Sequence, residues 1–148
     1  MDRLVILLAS GAYVGYVPAA PGTFGSLLAL PLLVGLAGLA WSPAAIAMLI
    51  GAAAMLAMLV CGRAGRIYRE ADSSRIVLDE VCGMLVAGAL LPPTAWALGL
   101  AFVAFRFFDI VKPFPAGYFD RHVKNGAGVV ADDLVAGVYA NLVVRMLL

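Results

Sequence analysis

The sequence predicts an all-α fold: a single membrane-embedded domain over residues 1–148, built as a helical bundle of about four to five apolar helices. Hydrophobic residues make up 64% of the 148 residues and charged residues 13%, and the mean hydropathy is +1.03. Soluble domains are about half apolar and about a quarter charged. No charged residue occurs between Arg3 and Arg63, and such a stretch could not fold in water without exposing a large apolar surface.

Charge and cysteine content exclude several other classes of protein. Ten Lys and Arg residues against nine Asp and Glu residues give a net charge of +1, so we expect no nucleic-acid partner. Cys61 and Cys82 lie in apolar surroundings without CxxC spacing. We interpret them as small core residues and not as a disulfide or a zinc site.

The apolar segments of the predicted bundle are separated by turns or basic loops, and they cover residues 24–41, 44–61, 76–91, 94–111 and 129–148. Turns at Pro43 and Pro92 join the first four segments into two hairpins. The third segment, 76–91, has about 16 residues, which is short for a full crossing of the membrane. Pro31 interrupts the first segment. The loops 62–75 and 112–128 are basic and should face the cytoplasm.

Residues 4–17 precede these segments and are too short to span a membrane. They either lie at the interface or re-enter the membrane. We do not interpret the N-terminus as a cleaved signal peptide, because a turn-rich stretch and further apolar segments follow it directly.

Five of the nine acidic residues fall at one depth in this topology: Asp79, Glu80, Asp109, Asp132 and Asp133. Carboxylates inside apolar helices are costly to desolvate, so they are paired or bind a cation. The alternative is that they flank helix N-termini, where the macrodipole favours negative charge. Two adjacent acidic pairs together with Asp109 favour a divalent-cation site, and Mg²⁺ is the expected ion because it prefers oxygen ligands.

A glycine follows each acidic pair by one helical turn, with Gly83 after Asp79 and Gly137 after Asp133. Residues at this spacing share a helix face. The missing side chain either leaves room for a ligand beside the carboxylate or allows close helix packing. The sequence supports both interpretations equally.

Basic residues accompany Asp109 on the fourth segment, because Arg106, Asp109 and Lys112 follow one another at intervals of three. Two cations beside a metal ligand are suited to binding phosphate oxygens, and Arg can do so with two parallel hydrogen bonds. The alternative for Lys112 is that its long side chain reaches up to the lipid headgroups.

The turn-rich stretch 18–26 precedes the first spanning helix. Gly22 allows unusual backbone angles, and Thr23 or Ser26 can cap the helix, so that free backbone N–H groups would form an anion site. An ordinary turn and N-cap is the simpler interpretation. The position of the stretch on the side of the acidic layer adds some support for phosphate binding and leaves both interpretations open.

Motifs that the sequence lacks exclude several known catalytic mechanisms. His122 is the only histidine, neither cysteine has an Arg six residues later, and no Asp-x-Asp pair or phosphate-binding loop motif occurs. A mechanism based on carboxylates and a metal remains. His122 itself is interpreted as a solvated loop residue.

Four motifs now suggest a family: Pro-x-Ala-Pro-Gly-Thr-x-Gly-Ser over 18–26, Asp-Glu-x-x-Gly over 79–83, Phe-Arg-x-Phe-Asp-Ile-x-Lys-Pro-x-Pro over 105–115 and Asp-Asp-x-x-Ala-Gly over 132–137. In this order, and over nearly the whole chain, they resemble bacterial phosphatidylglycerophosphatase A. The resemblance implies a Mg²⁺-dependent, multi-pass inner-membrane enzyme that converts phosphatidylglycerophosphate to phosphatidylglycerol and phosphate.

The resemblance also implies which residues form the site. The acidic positions of the family correspond to Asp79, Glu80, Asp109, Asp132 and Asp133, and its turn residues to Pro21, Gly22, Thr23, Gly25 and Ser26.

From this set we expect a cytoplasmic-facing site among membrane lipids. Its expected Mg²⁺ ligands are Asp79, Glu80, Asp132 and Asp133, its catalytic residues Asp79, Asp109 and Asp133, and its substrate-binding residues Gly22, Thr23, Ser26, Arg106 and Lys112. The nucleophile is either a metal-bound water or an aspartate. The competing hypothesis is a small ion-coupled transporter or membrane scaffold that uses the same buried acids.

Overall fold

The computed structural model describes residues 2–148, which contain helices and no strand. The α-helices are α1 (Asp2–Ala9), α2 (Pro21–Gly38), α3 (Pro43–Tyr68), α4 (Leu78–Gly88), α5 (Ala95–Val111), α6 (Ala116–His122) and α7 (Gly126–Leu147), and a 3-10 turn covers Val14–Tyr16. The prediction of an all-α bundle is confirmed.

Three of the helices, α2, α3 and α7, are long and apolar enough to cross a membrane. The helix α4 has 11 residues, which at 1.5 Å per residue is about 16 Å, roughly half of a hydrocarbon core. The segment predicted over 76–91 is therefore too long, because residues 76 and 77 precede α4. The Val77 N–H donates to Ala9 O at 2.9 Å and so anchors the approach to α4 on the end of α1.

The loops predicted over 62–75 and 112–128 are partly wrong, because each contains helix. The helix α3 continues to Tyr68, where Arg69 ends it in the left-handed conformation with φ 58°. A close helix contact supports the extension, since a Cβ on Gly126 of α7 would collide with the backbone of Gly62. The second loop contains α6, which packs against α7.

The start of α2 corrects the predicted helix cap. The helix begins at Pro21, and Ala20 occupies the N-cap position in a left-handed conformation without a side-chain cap. Thr23 and Ser26 therefore lie inside the helix and do not cap it. The Ser26 hydroxyl donates to Gly22 O at 2.8 Å. Pro31 lies within α2 and does not end it.

The short helix α4 lies at the centre of the bundle, in contact with α2, α3, α5 and α7. The Cβ that Gly83 lacks would lie 2.6 Å from the Phe105 ring and 2.7 Å from Asp133 O, and one on Gly137 would collide with Gly83 O. Protein atoms fill the space beside both glycines. Of the two interpretations, close helix packing is therefore confirmed and room for a ligand is wrong.

The far end of α4 is held by polar side chains of α7. The Asn141 amide donates to Ala87 O and Ala89 O, each at 2.9 Å, and Arg145 Nη2 donates to Ala89 O at 3.0 Å. A helix that ends inside an apolar bundle leaves carbonyl groups without partners. These two side chains supply the missing donors.

Candidate active site

Three carboxylates meet where α4 begins against α7. Asp79 and Glu80 lie in the first turn of α4, and Asp133 is the eighth residue of α7. One oxygen atom of each lies within 4.8 Å of the others. Asp79 and Asp133 are 5% and 4% exposed, so this acidic group is shielded from water.

The carboxylate group has oxygen atoms that no other group satisfies. Asp79 Oδ1 and Glu80 Oε2 are buried and accept no hydrogen bond within residues 2–148. Buried polar atoms without partners are costly, and three negative charges at this separation repel one another. A divalent cation would remove both costs, and carboxylate oxygens are the donors that Mg²⁺ prefers. The donor set thus fits such an ion.

The helix-dipole alternative explains only part of this arrangement. It applies to Asp79 and Glu80, which lie in the first turn of α4. It does not apply to Asp133, because the dipole effect is confined to the first turn and Asp133 lies beyond the first turn of α7. Interaction with helix dipoles therefore does not explain why acids from two helices meet.

Asp132 lies apart from this group and forms an ion pair with Lys112. The Lys112 ammonium donates to Asp132 Oδ2 at 2.6 Å and to Asp120 Oδ1 at 2.8 Å. The second oxygen of Asp132, Oδ1, is buried and has no hydrogen-bond partner among the residues that the structure describes. Lys112 is thus held between two carboxylates, at the point where it ends α5 with φ 48°.

The hydrogen bonds of Lys112 favour its charged form and that of Asp120. Burial lowers the pKa of Lys112, but its hydrogen bonds to Asp120 and Asp132 outweigh burial and raise the pKa above its ordinary value. The hydrogen bond from Lys112 lowers the pKa of Asp120. The cluster therefore joins α5, α6 and α7 through charge-assisted hydrogen bonds.

Arg106 occupies the other side of the acidic group, between α5 and the start of α2. Its Nη1 lies 2.7 Å from Asp109 Oδ2 and 3.5 Å from Ser26 Oγ. A Cβ on Gly22 would collide with Glu80 Oε1 and lie 3.3 Å from Arg106 Nη1. The absence of a side chain at Gly22 lets a carboxylate and a guanidinium approach α2 together.

Two further residues predicted from the sequence have ordinary surroundings. Thr23 is half-buried in the first turn of α2, and its N–H donates to Ala20 O at 3.0 Å. His122 is exposed at the end of α6, with Nδ1 3.0 Å from Tyr118 O. The position of His122 agrees with its interpretation as a solvated residue.

The ion pair between Asp120 and Lys112 is a contact that the sequence did not predict. Asp120 accepts a hydrogen bond from Lys112 at 2.8 Å. The two residues are eight apart, and the intervening chain turns before α6 begins. No helical spacing links them, so the only signal was the presence of a second acid near a basic motif residue.

Together these features define a class: a helical membrane protein with a buried group of carboxylates at one end of its bundle, bordered by an arginine and a lysine that are each paired with aspartate. Comparison with known proteins identifies the family within this class. The family model of phosphatidylglycerophosphatase A matches residues 7–148. The chain belongs to the phosphatidylglycerophosphatase A family.

Individual relatives agree with the family. The chain is 38% identical to phosphatidylglycerophosphatase A of Haemophilus influenzae over 140 residues, which cover 93% of this chain and 85% of the relative. It is 36% identical to phosphatidylglycerophosphatase A of Escherichia coli over 133 residues, covering 89% and 76%. A putative phosphatidylinositol-3-phosphatase of Bacteroides thetaiotaomicron is 35% identical over 152 residues, covering 97% and 92%.

No solved structure matches the chain. The family is one of phosphoric monoester hydrolases, so the prediction of an enzyme is confirmed over that of a transporter or scaffold.

Proposed function

We propose that this enzyme hydrolyses the terminal phosphate of phosphatidylglycerophosphate, giving phosphatidylglycerol and phosphate, and that it requires Mg²⁺. Membership of the family supports the reaction. The observation that carries the metal requirement is the group of Asp79, Glu80 and Asp133, with its buried oxygen atoms that have no partner.

In this proposal Asp79, Glu80 and Asp133 hold the ion. Asp132, the fourth ligand expected from the sequence, lies outside this group in its ion pair with Lys112. Bound Mg²⁺ would neutralise charge that develops on the phosphoryl oxygens. Phosphate monoesters hydrolyse extremely slowly in water, so such charge stabilisation is what the site must provide.

The remaining residues bind and orient the phosphate. Arg106 offers a planar pair of donors, and Asp109 fixes their direction from 2.7 Å away. Lys112 adds positive charge but is held by two carboxylates, so its contribution is to position Asp132 as well as to attract the substrate. Asp79 or Asp133 either accepts a proton from the water that attacks phosphorus, or attacks phosphorus itself to form an acyl phosphate that water then hydrolyses. In both cases the bond between phosphorus and the glycerol oxygen breaks, and that oxygen takes up a proton as phosphatidylglycerol leaves.

We further propose that the site faces the cytoplasm from the bacterial inner membrane. Basic residues concentrate where α3 ends and α7 begins, which is the pattern of a cytoplasmic side. Cysteines introduced at Ser42 and Thr94 should then react with an impermeant thiol reagent added to intact cells. A cysteine at Arg121 should not react, and labelling of that position from outside would contradict the orientation.

The central experiment measures phosphate release from phosphatidylglycerophosphate by the purified protein with and without added Mg²⁺. Asp79→Asn and Asp133→Asn keep side-chain shape and remove charge, so we expect folded proteins whose turnover falls by at least about 10²-fold. The matched control is Asp2→Asn, an exposed carboxylate paired with Arg63, which should retain full activity. Folded amide variants with normal turnover would remove the proposed metal site.

A parallel set of assays should test which lipid phosphate is the preferred substrate. A relative carries the name of a putative phosphatidylinositol-3-phosphatase, so phosphatidylinositol 3-phosphate and phosphatidic acid should be assayed beside phosphatidylglycerophosphate. We expect the highest kcat/KM for phosphatidylglycerophosphate. A higher value for either of the other lipids would replace the proposed substrate and leave the enzyme class unchanged.

A further inference from the structure

A cavity of about 350 Å³ lies where the end of α3 meets the start of α7. Three of its lining residues, Arg66, Arg69 and Lys124, are cationic, and Glu70 is its one acidic lining residue among residues 2–148. None of the carboxylates of the candidate active site lines it. The cavity is therefore a separate, mainly basic site at the same end of the bundle.

The three cations of this cavity are not held in ion pairs within the described residues. Within residues 2–148, Arg66, Arg69 and Lys124 form no ion pair within 4.0 Å. Arg106 and Lys112, which border the carboxylate site, are both paired with aspartate. Unpaired cations around one cavity repel one another and attract an anion.

Local chain geometry brings the two arginines to one cavity. Arg69 adopts a left-handed conformation, and the next N–H, that of Glu70, donates to Gly65 O at 3.0 Å. The chain thus folds back over the end of α3. The opposite side of the cavity is the start of α7, whose N-terminal dipole also favours an anion.

We propose that this cavity binds the phosphate group of an anionic phospholipid headgroup, separate from the phosphate that is hydrolysed. Both helices that form it are long and apolar enough to span a membrane, so their ends lie where lipid phosphates occur. Gly126 lines the cavity and lies seven residues before Asp133, which is about 10 Å along α7. Arginine and lysine bind phosphate through charge-assisted hydrogen bonds.

The test counts lipids bound to the full-length protein by native mass spectrometry from an uncharged detergent. We expect retention of phosphatidylglycerol over phosphatidylcholine, and an affinity for phosphatidylglycerol at least about tenfold lower in Arg66→Gln/Lys124→Gln. The matched control, Arg3→Gln/Arg63→Gln, removes the same charge outside the cavity and should bind as the parent does. Arg66→Lys/Lys124→Arg keeps both charges and should also bind.

Equal phosphatidylglycerol affinity in the cavity and control variants would overturn the proposal, as would equal retention of the two lipids by the parent. A second arm offers inorganic phosphate alone, which shares the recognised group. If phosphate binds through the cavity and phosphatidylglycerol does not, the ligand is free phosphate and the lipid assignment is wrong. Phosphatidylglycerol and phosphate are also the products of the proposed reaction, but the parent, the cavity variant and the control variant share one active site. Binding there is therefore common to all three proteins, and the difference between the variants reports on the cavity alone.

Discussion

Replacing Gly137 by alanine tests whether the contact between α4 and α7 sets the geometry of the carboxylates. The new Cβ would collide with Gly83 O and lie 3.0 Å from Val86 Cβ. Backbone atoms cannot rotate away, so the helices must separate. Asp133 lies one turn before Gly137 and Asp79 one turn before Gly83, and the separation would therefore move the acids apart.

The magnitude follows from comparison with a glycine that has open space. Gly99 on α5 has nothing within 4 Å of its added Cβ, so Gly99→Ala gains helix propensity without a clash. The propensity gain is common to both variants, and Gly137→Ala should be less stable than Gly99→Ala by the cost of overpacking, about 1–3 kcal/mol. A displacement of about 1 Å in the site would also lower turnover about 10²-fold.

The assay combines unfolding by denaturant in detergent with phosphate release under saturating Mg²⁺. Gly99→Ala should be at least as stable as the parent and retain its turnover. If Gly137→Ala matched Gly99→Ala in both measurements, the glycine contact would have no part in holding the two helices, and the reasoning from close packing would be refuted.

Three further substitutions probe the neighbours of the carboxylates. Arg106→Lys keeps the charge and loses the planar pair of donors, so turnover should fall about 10²-fold; near-normal kcat would leave Arg106 a structural role only. Gly22→Ala would push Glu80 Oε1 aside and should raise the Mg²⁺ concentration needed for half-maximal rate, which an unchanged Mg²⁺ titration would contradict. Asp120→Asn should lower stability at neutral pH. Because Lys112 lowers the pKa of Asp120, the difference from the parent should vanish as pH falls through that pKa, and a pH-independent difference in unfolding free energy would exclude the ion pair as its cause.

The apolar segments and the meeting of three of the five acids could be predicted because both leave short-range signals in the sequence, whereas Asp109 and Asp132 lie in ion pairs outside that group. Apolar runs define α2, α3 and α7, and the acidic pairs at 79–80 and 132–133 each lie near the start of a helix. Asp79, Glu80 and Asp133 meet because α4 and α7 pack in parallel, with their starts at the same end of the bundle.

Other features depend on contacts between distant parts of the chain. The sequence after Cys61 contains glycines and arginines that favour a loop, yet α3 continues because Gly62 packs on Gly126. Lys112 follows the spacing of Arg106 and Asp109, yet it turns toward Asp120 and Asp132. In each case tertiary packing overrides a local pattern, and only the three-dimensional structure shows the partner.

The helix α7 contributes to the structure in two ways that a plain membrane anchor does not. Asp133 lies near its start, and Asn141 and Arg145, two and three turns further on, hold the last carbonyl groups of α4. An unrelated apolar helix grafted in place of α7 would preserve a span and the lipid contact. It would nevertheless remove an acid from the site and leave α4 without donors at its far end, so α7 is exchangeable only as a complete unit with its polar residues.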